Sequence, residues 1–181
     1  MGMYTNLRFK GIIKKEFIEE IQTVMNESEW IKCKHATLLE FSKFSRSDFI
    51  PFGSLPYAPS CWEGEPYDEK KPWFCPATDG FETNFDIETG YWSFQCSLKN
   101  YENEIEFFIN NVVPLVCEEV IHCEKLYEED AVSEMFTIEN GEIKILPYGI
   151  RYEDIGYMPK VEQIINYEDF KFDYIEVGTT L

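Results

Sequence analysis

The sequence predicts an α+β domain, a mainly antiparallel sheet with helices packed on one face and a small C-terminal appendage. Three observations lead there. Segments of period-two alternation are separated by turn residues, two stretches carry helical periodicity, and the element order reads β, α, α, loop, β, β, α, β, β, β. That order lacks the strict strand-helix alternation that builds a parallel sheet. A core is expected over residues 1–147 and a C-terminal extension or small lobe over 148–181. With 44% apolar and 17% aromatic residues, the chain holds enough core-forming material to exclude a disordered class despite its charge.

Tyr4 to Ile13 reads as the first strand, in which Leu7, Phe9 and Gly11 alternate with Arg8 and Lys10, and Gly11 marks a bulge. From Lys15 to about Glu29, Phe17, Ile18, Ile21, Val24 and Met25 fall at helical spacing opposite Glu16, Glu19, Glu20, Gln22 and Asn26. A shorter helix is expected from Ala36 to Phe44, opened by a capping box of Thr37 and Glu40.

Between Phe49 and Thr78 the prolines Pro51, Pro56, Pro59, Pro66, Pro72 and Pro76 exclude continuous helix and interior strand, so 49–78 is a long Pro- and aromatic-rich loop. Trp62, Tyr67 and Trp73 interleave there with Glu63, Glu65, Asp68 and Glu69. Two uses are open: an aromatic and acidic contact surface, or rings that anchor the loop on the core.

Phe81 to Val116 is the centre of the pattern. Phe81, Thr83, Phe85 and Ile87 alternate with Glu82, Asn84, Asp86 and Glu88; after Thr89–Gly90, Trp92, Phe94, Cys96 and Leu98 alternate with Ser93, Gln95, Ser97 and Lys99. A hairpin with one buried face and an acidic outer face follows. Asn100 is expected as a helix N-cap, with Glu102, Glu104 and Glu106 facing outward near the positive helix end. Ile105, Phe108, Ile109, Val112 and Val113 fill the inward face until Pro114 kinks or ends the helix.

Val120 to Tyr127 reads as a strand flanked by Glu118, Glu119, Glu128, Glu129 and Asp130. Met135–Ile138 and Ile143–Leu146 flank Asn140–Gly141, the signature of a type I′ hairpin. Beyond Pro147 a short helix from Pro159 through Ile165 and a strand at Phe170, Phe172 and Tyr174 complete the reading.

Charge divides the chain. Residues 1–50 hold seven acidic and eight basic side chains, a net of +1, whereas residues 51–181 hold 27 and eight, a net of −19. Such a field repels phosphates and anionic membranes, so direct binding of free nucleic acid is not expected, and it steers cationic proteins toward the chain. The alternative is a face that only confers solubility. No apolar run approaches the ~18 residues of a membrane span, and no secretory leader pattern opens the sequence, so a cytoplasmic protein is expected. The six cysteines (Cys33, Cys61, Cys75, Cys96, Cys117, Cys123) contain no CxxC pair and read as reduced core thiols.

Catalytic chemistry finds weak footing. Cys33 with His35, and Cys117 with His122 and Cys123, lack the spacing that lets two thiolates of one turn reach a zinc ion, so no metal or other cofactor is expected. Glu142, Ile143 and Lys144 form an E-x-K element with Asp130 upstream, the pattern of a divalent-metal-dependent nuclease, but acidic hairpins supply that triplet by chance and the net charge opposes such a substrate. Neither G-x-S-x-G nor a phosphate-cradling glycine motif occurs. A non-enzymatic interaction protein remains. Its candidate contact residues are Glu63, Glu65, Asp68, Glu69, Glu102, Glu104, Glu106, Glu118, Glu119, Glu128, Glu129 and Asp130, carboxylates able to mimic DNA before arginines and lysines that otherwise hold phosphates. An immunity or antitoxin-like protein neutralising a basic toxin would use the same charge.

Two stretches, Met3–Gly11 (MYTNLRFKG) and Trp92–Tyr101 (WSFQCSLKNY), together with size and charge, resemble small acidic proteins of phages and mobile elements of Gram-positive bacteria. Within these the chain is similar to the anti-CRISPR inhibitors of type II-A Cas9. The resemblance implies a non-enzymatic inhibitor in the host bacterial cytosol that binds the Cas9–guide RNA complex and blocks its target DNA binding or cleavage.

Overall fold

The computed structural model describes residues 3–59, 62, 80–153 and 160–168. Its core is a six-stranded antiparallel sheet of order β2-β3-β1-β4-β5-β6, built from β1 (Thr5–Ile13), β2 (Asn84–Phe85), β3 (Tyr91–Leu98), β4 (Cys117–Tyr127), β5 (Glu134–Glu139) and β6 (Glu142–Ile145). Strands β7 (Tyr148–Glu153) and β8 (Lys160–Asn166) form a separate two-stranded sheet tied to the first by the bridge Val132–Arg151. The fold is α+β. No described helix is long and apolar enough to cross a membrane.

One face of the large sheet carries the hydrophobic core. Leu7 and Phe9 of β1 and Trp92, Phe94, Cys96 and Leu98 of β3 are buried there against α1 (Ile18–Glu27), α2 (Ala36–Phe41) and a helical run from Glu104 to Val116. Aromatic rings dominate the packing: Phe9 stacks on Phe94 at 5.3 Å between centroids, Trp92 tilts against Phe94 at 4.9 Å and Trp30 meets Phe41 edge-on at 5.1 Å. Each such ring contributes about 2–3 kcal/mol by leaving water.

Two local expectations hold in detail. The β1–β4 register shifts between Lys10 and Gly11, so Gly11 does sit at a bulge; a Cβ there would lie 2.8 Å from Phe9 Cζ and 2.9 Å from the Glu119 carbonyl oxygen. Asn140 and Gly141 join β5 to β6 with φ of 54° and 78°, the paired positive angles of a type I′ turn.

Elsewhere the structure corrects the reading. The alternation over residues 81–88 does not make a full strand. Only Asn84 and Phe85 pair with β3, while Thr83 and Ile87 are exposed, because Asp86 turns the chain by accepting from Glu88 and Thr89. The other face of β3 is not solvated either: Ser93, Gln95 and Ser97 are buried.

Helix ends differ for reasons of local hydrogen bonding. His35, not Thr37, caps α2, its Nδ1 accepting from the Thr37 amide at 3.2 Å. The third helix begins at Glu104, with Asn103 at the N-cap position; Asn100 stands further back, yet its Oδ1 accepts from the Ile105 amide at 2.9 Å. Pro114 does not end that helix. A π-helical segment, Phe108–Val112, precedes it, widening the coil where the proline would otherwise meet a carbonyl one turn back. Lys14 Nζ then caps the carbonyls of Pro114 and Leu115 at 2.9 and 2.8 Å.

Lys160–Asn166 is strand rather than helix, paired with β7. Ile164 and Ile165 fit either period, and their β-branched side chains favour the pairing that β7 offers. The proposed strand at Phe170–Tyr174 lies outside the described residues.

Candidate acidic contact site

Topology, not sequence proximity, assembles the acidic residues. Thr5 stands opposite Leu98 in β3 and opposite Tyr127 in β4, so those two strands run parallel to each other on either side of β1 and finish at one end of the sheet. The segments that follow them, 99–106 and 128–130, therefore emerge side by side. Glu118 and Glu119 are exposed but lie at the other end, near Ile12 and Ile13, roughly 25 Å away by strand rise.

Lys125 is the junction. It faces the same side of the sheet as Leu7, and its ammonium sits 3.1 Å from Glu106 Oε1 and 2.5 Å from Glu134 Oε2. Burial alone would lower its pKa; the bonds and charges of Glu134 and Glu106 outweigh that and raise it. Glu106 shows the converse balance. Burial would raise its carboxyl, but the Asn100 amide, 2.6 Å from Oε2, together with a backbone bond and Lys125, holds it below the ordinary range.

Asp130 faces the same group from the turn after β4, where its own amide donates to the Tyr127 carbonyl at 2.9 Å. Desolvation and the charge of Glu134 raise its carboxyl, with Lys125 acting against them. Two carboxylates, Glu106 and Glu134, thus share one ammonium, and Asp130 feels the charges of Glu134 and Lys125. Glu128 donates its amide to the Tyr4 carbonyl at 3.1 Å, and Glu129 is exposed beside it. Desolvation and the charges of Glu129, Glu128 and Asp130 raise the Tyr127 phenol.

Glu102 belongs to this end too. Its exposed carboxylate accepts from the Ser45 amide at 2.9 Å, which with the Ser45 hydroxyl and the charge of Arg46 holds it below the ordinary range. Glu104 does not belong. It is fully buried, one oxygen accepting from the Glu102 amide at 3.0 Å and the other lacking a hydrogen-bond partner, so the outward placement expected for it is wrong. Its position at the first helical residue turns it under the chain, while Glu106 reaches Lys125. Glu63, Glu65, Asp68 and Glu69 lie outside the described residues, as do Tyr67 and Trp73.

Sequence reading missed Lys125, Glu134 and an aromatic rim. Lys125 carried a signal: two residues from Cys123 on one strand, it falls at inward parity, where a cation requires an anion. Tyr4 packs on Tyr57 at 5.3 Å with Lys99 over its ring at 5.5 Å, and Tyr101 lies under the Arg46 guanidinium at 4.8 Å. Tyr57 and Tyr101 are 64% and 59% exposed, so this end presents rings as well as carboxylates.

The opposite face of the sheet bears a buried polar layer. Arg8 donates from Nε to Gln95 Oε1 at 3.0 Å and lies over Trp62 and Phe81 at 4.5 and 4.2 Å. Glu124, without exposure, accepts from the Tyr152 hydroxyl at 2.6 Å and sits 2.9 Å from His122 Nε2. Trp62 is wholly buried in this layer, its carbonyl bonded by the Gln95 amide, so the anchoring role holds for that ring.

Among the described residues no group of three or more His, Cys, Asp or Glu side chains is placed to hold a metal. Cys33 is buried, and desolvation with the nearby Glu20 pushes its thiol up to about 12; burial likewise raises Cys96, Cys117 and Cys123. Lys144 pairs with Glu142 at 3.2 Å on the exposed β6. Comparison with protein-family models, curated proteins and solved structures yields no match for this chain.

Proposed function

We propose that this protein is a non-enzymatic inhibitor whose acidic sheet end docks into the cationic groove of a nucleic-acid-binding protein and keeps nucleic acid out. The observation that carries the reading is convergence: Glu102, Glu106, Glu128, Glu129, Asp130 and Glu134 share one end of a sheet in a chain of net charge −18. The carboxylates of Glu102, Glu106 and Glu134, held by Ser45, Asn100 and Lys125, lose little freedom on docking, and the rings of Tyr4, Tyr57 and Tyr101 add the rigid apolar contact in which interface energy concentrates. The resemblance of Met3–Gly11 and Trp92–Tyr101 names the Cas9–guide RNA complex as the partner, whose basic channels hold the DNA strands.

The test is target-DNA binding by a type II-A Cas9–guide complex with and without the protein in excess. Loss of DNA binding that is relieved by added salt supports the reading. Unchanged DNA binding and cleavage, with no complex formed at low salt, rejects it.

A further inference from the structure

We propose that the cleft between the Glu104–Val116 helix and the β5–β6 hairpin receives a single arginine side chain of a basic protein partner. This rests on the reading above and names the anchor within it. The cleft has a volume of about 270 Å³, below the roughly 300–1,000 Å³ of small-molecule and cofactor sites and suited to one long side chain. Its walls are apolar, with Ile109 and Phe136 buried at the base and Ile143 half-buried, and Ile145 stands 62% exposed at the rim. Its polar side is the Lys125 group.

Those two halves fit the two halves of an arginine. Three methylenes would cover the isoleucines, and the planar fork would meet the Glu134 carboxylate, which Lys125 leaves incompletely used. Lys125 takes only Oε2 of Glu134, whose side chain is 42% exposed, so its Oε1 is left for the fork, whereas both Glu106 oxygens are engaged, Oε1 by Lys125 and Oε2 by the Asn100 amide. An apolar plug would desolvate these charges without replacing their partners. A second copy of this chain would bring −18 against −18. Lysine fits the charge but presents a point rather than a fork.

The probe is a blocked Gly-Arg-Gly peptide titrated into the full chain with isotope-labelled isoleucine methyls, beside matched lysine and citrulline peptides. Saturable shifts are expected at Ile109, Ile143 and Ile145 with arginine, weaker with lysine and absent with the uncharged citrulline. Glu134→Gln should weaken the arginine titration roughly tenfold, and Ile145→Thr, which leaves every charge in place, should weaken it as well while the remaining methyl spectrum stays unchanged.

Equal response to citrulline, shifts that avoid the three isoleucines, or shifts at Ile145 driven by protein concentration alone would each overturn the proposal. The two readings separate cleanly. A Cas9–guide complex bound with the cleft methyls unmoved rejects the cleft and leaves the docking function standing. Arginine-peptide binding in the cleft without capture of the Cas9–guide complex rejects the partner and leaves the cleft.

Discussion

Lys125 Nζ lies 3.1 Å from Glu106 Oε1, a bond between residues 19 apart that ties the Glu104–Val116 helix to β4 and sets the geometry of the acidic end. Glu134 completes the clamp from β5. Lys125→Met should cost about 1–2 kcal/mol, a figure reduced for the solvent exposure of Glu134. Its pH dependence is the sharper readout. In the wild type the depressed Glu106 contributes stability present above its unfolded pKa and lost as pH falls through the folded value, while the raised Lys125 contributes stability lost only as pH rises through its own folded value. Without the ammonium, Glu106, Glu134 and Asp130 repel, so the variant should gain stability between about pH 7 and 5. Chemical denaturation at several pH values measures this; parallel curves for the two proteins would remove the clamp from the account.

Tyr152→Phe should lower stability by about 1–3 kcal/mol, because the hydroxyl it removes donates at 2.6 Å to the fully buried Glu124. A melting temperature equal to wild type would mean that water or another donor already serves this carboxylate.

Gly11→Ala and Gly141→Ala should separate steric from conformational cost. At Gly11 the new methyl meets the Glu119 backbone oxygen at 2.9 Å, and about 1–3 kcal/mol is expected. At Gly141 nothing lies within 4 Å, but φ of 78° costs an alanine about 1 kcal/mol. Urea midpoints that rank the two the other way would contradict the bulge geometry.

Alkylation with iodoacetamide at about pH 8 followed by peptide mapping should label none of Cys33, Cys96, Cys117 and Cys123 in the folded protein, since each is buried and its thiol is pushed up. Prompt labelling of Cys96 or Cys123 would be incompatible with the core as described.

Much of the fold was legible because its signals are local. The Gly11 bulge, the Asn140–Gly141 turn and the inward row of the third helix each follow from residues within a few positions of one another. The candidate site was legible only in pieces. Glu102, Glu106 and Glu128–Asp130 are evident as charges, but their assembly depends on β1 lying between β3 and β4, a pairing between residues about 90 and 120 positions apart that periodicity does not reveal. Glu104 was misread because alternation along a helix start gives no sign of which carboxylate folds inward. Ser93, Gln95 and Ser97 were misread because polarity implied solvent, whereas each is buried and bonded, Ser93 to the Glu82 carbonyl, Gln95 to Arg8 Nε and the Trp62 carbonyl, and Ser97 to the Ser54 carbonyl.

Charge reversal locates the contact end, provided that buried Glu104 is spared. The decisive measurement is the affinity of a type II-A Cas9–guide complex for Glu128→Lys/Glu129→Lys and for Glu118→Lys/Glu119→Lys, at low and at physiological salt. The first pair should weaken binding about tenfold or more, and the second, at the far end of the sheet, should change it less than about threefold. Equal losses from both pairs, or no binding by the wild type, would contradict this.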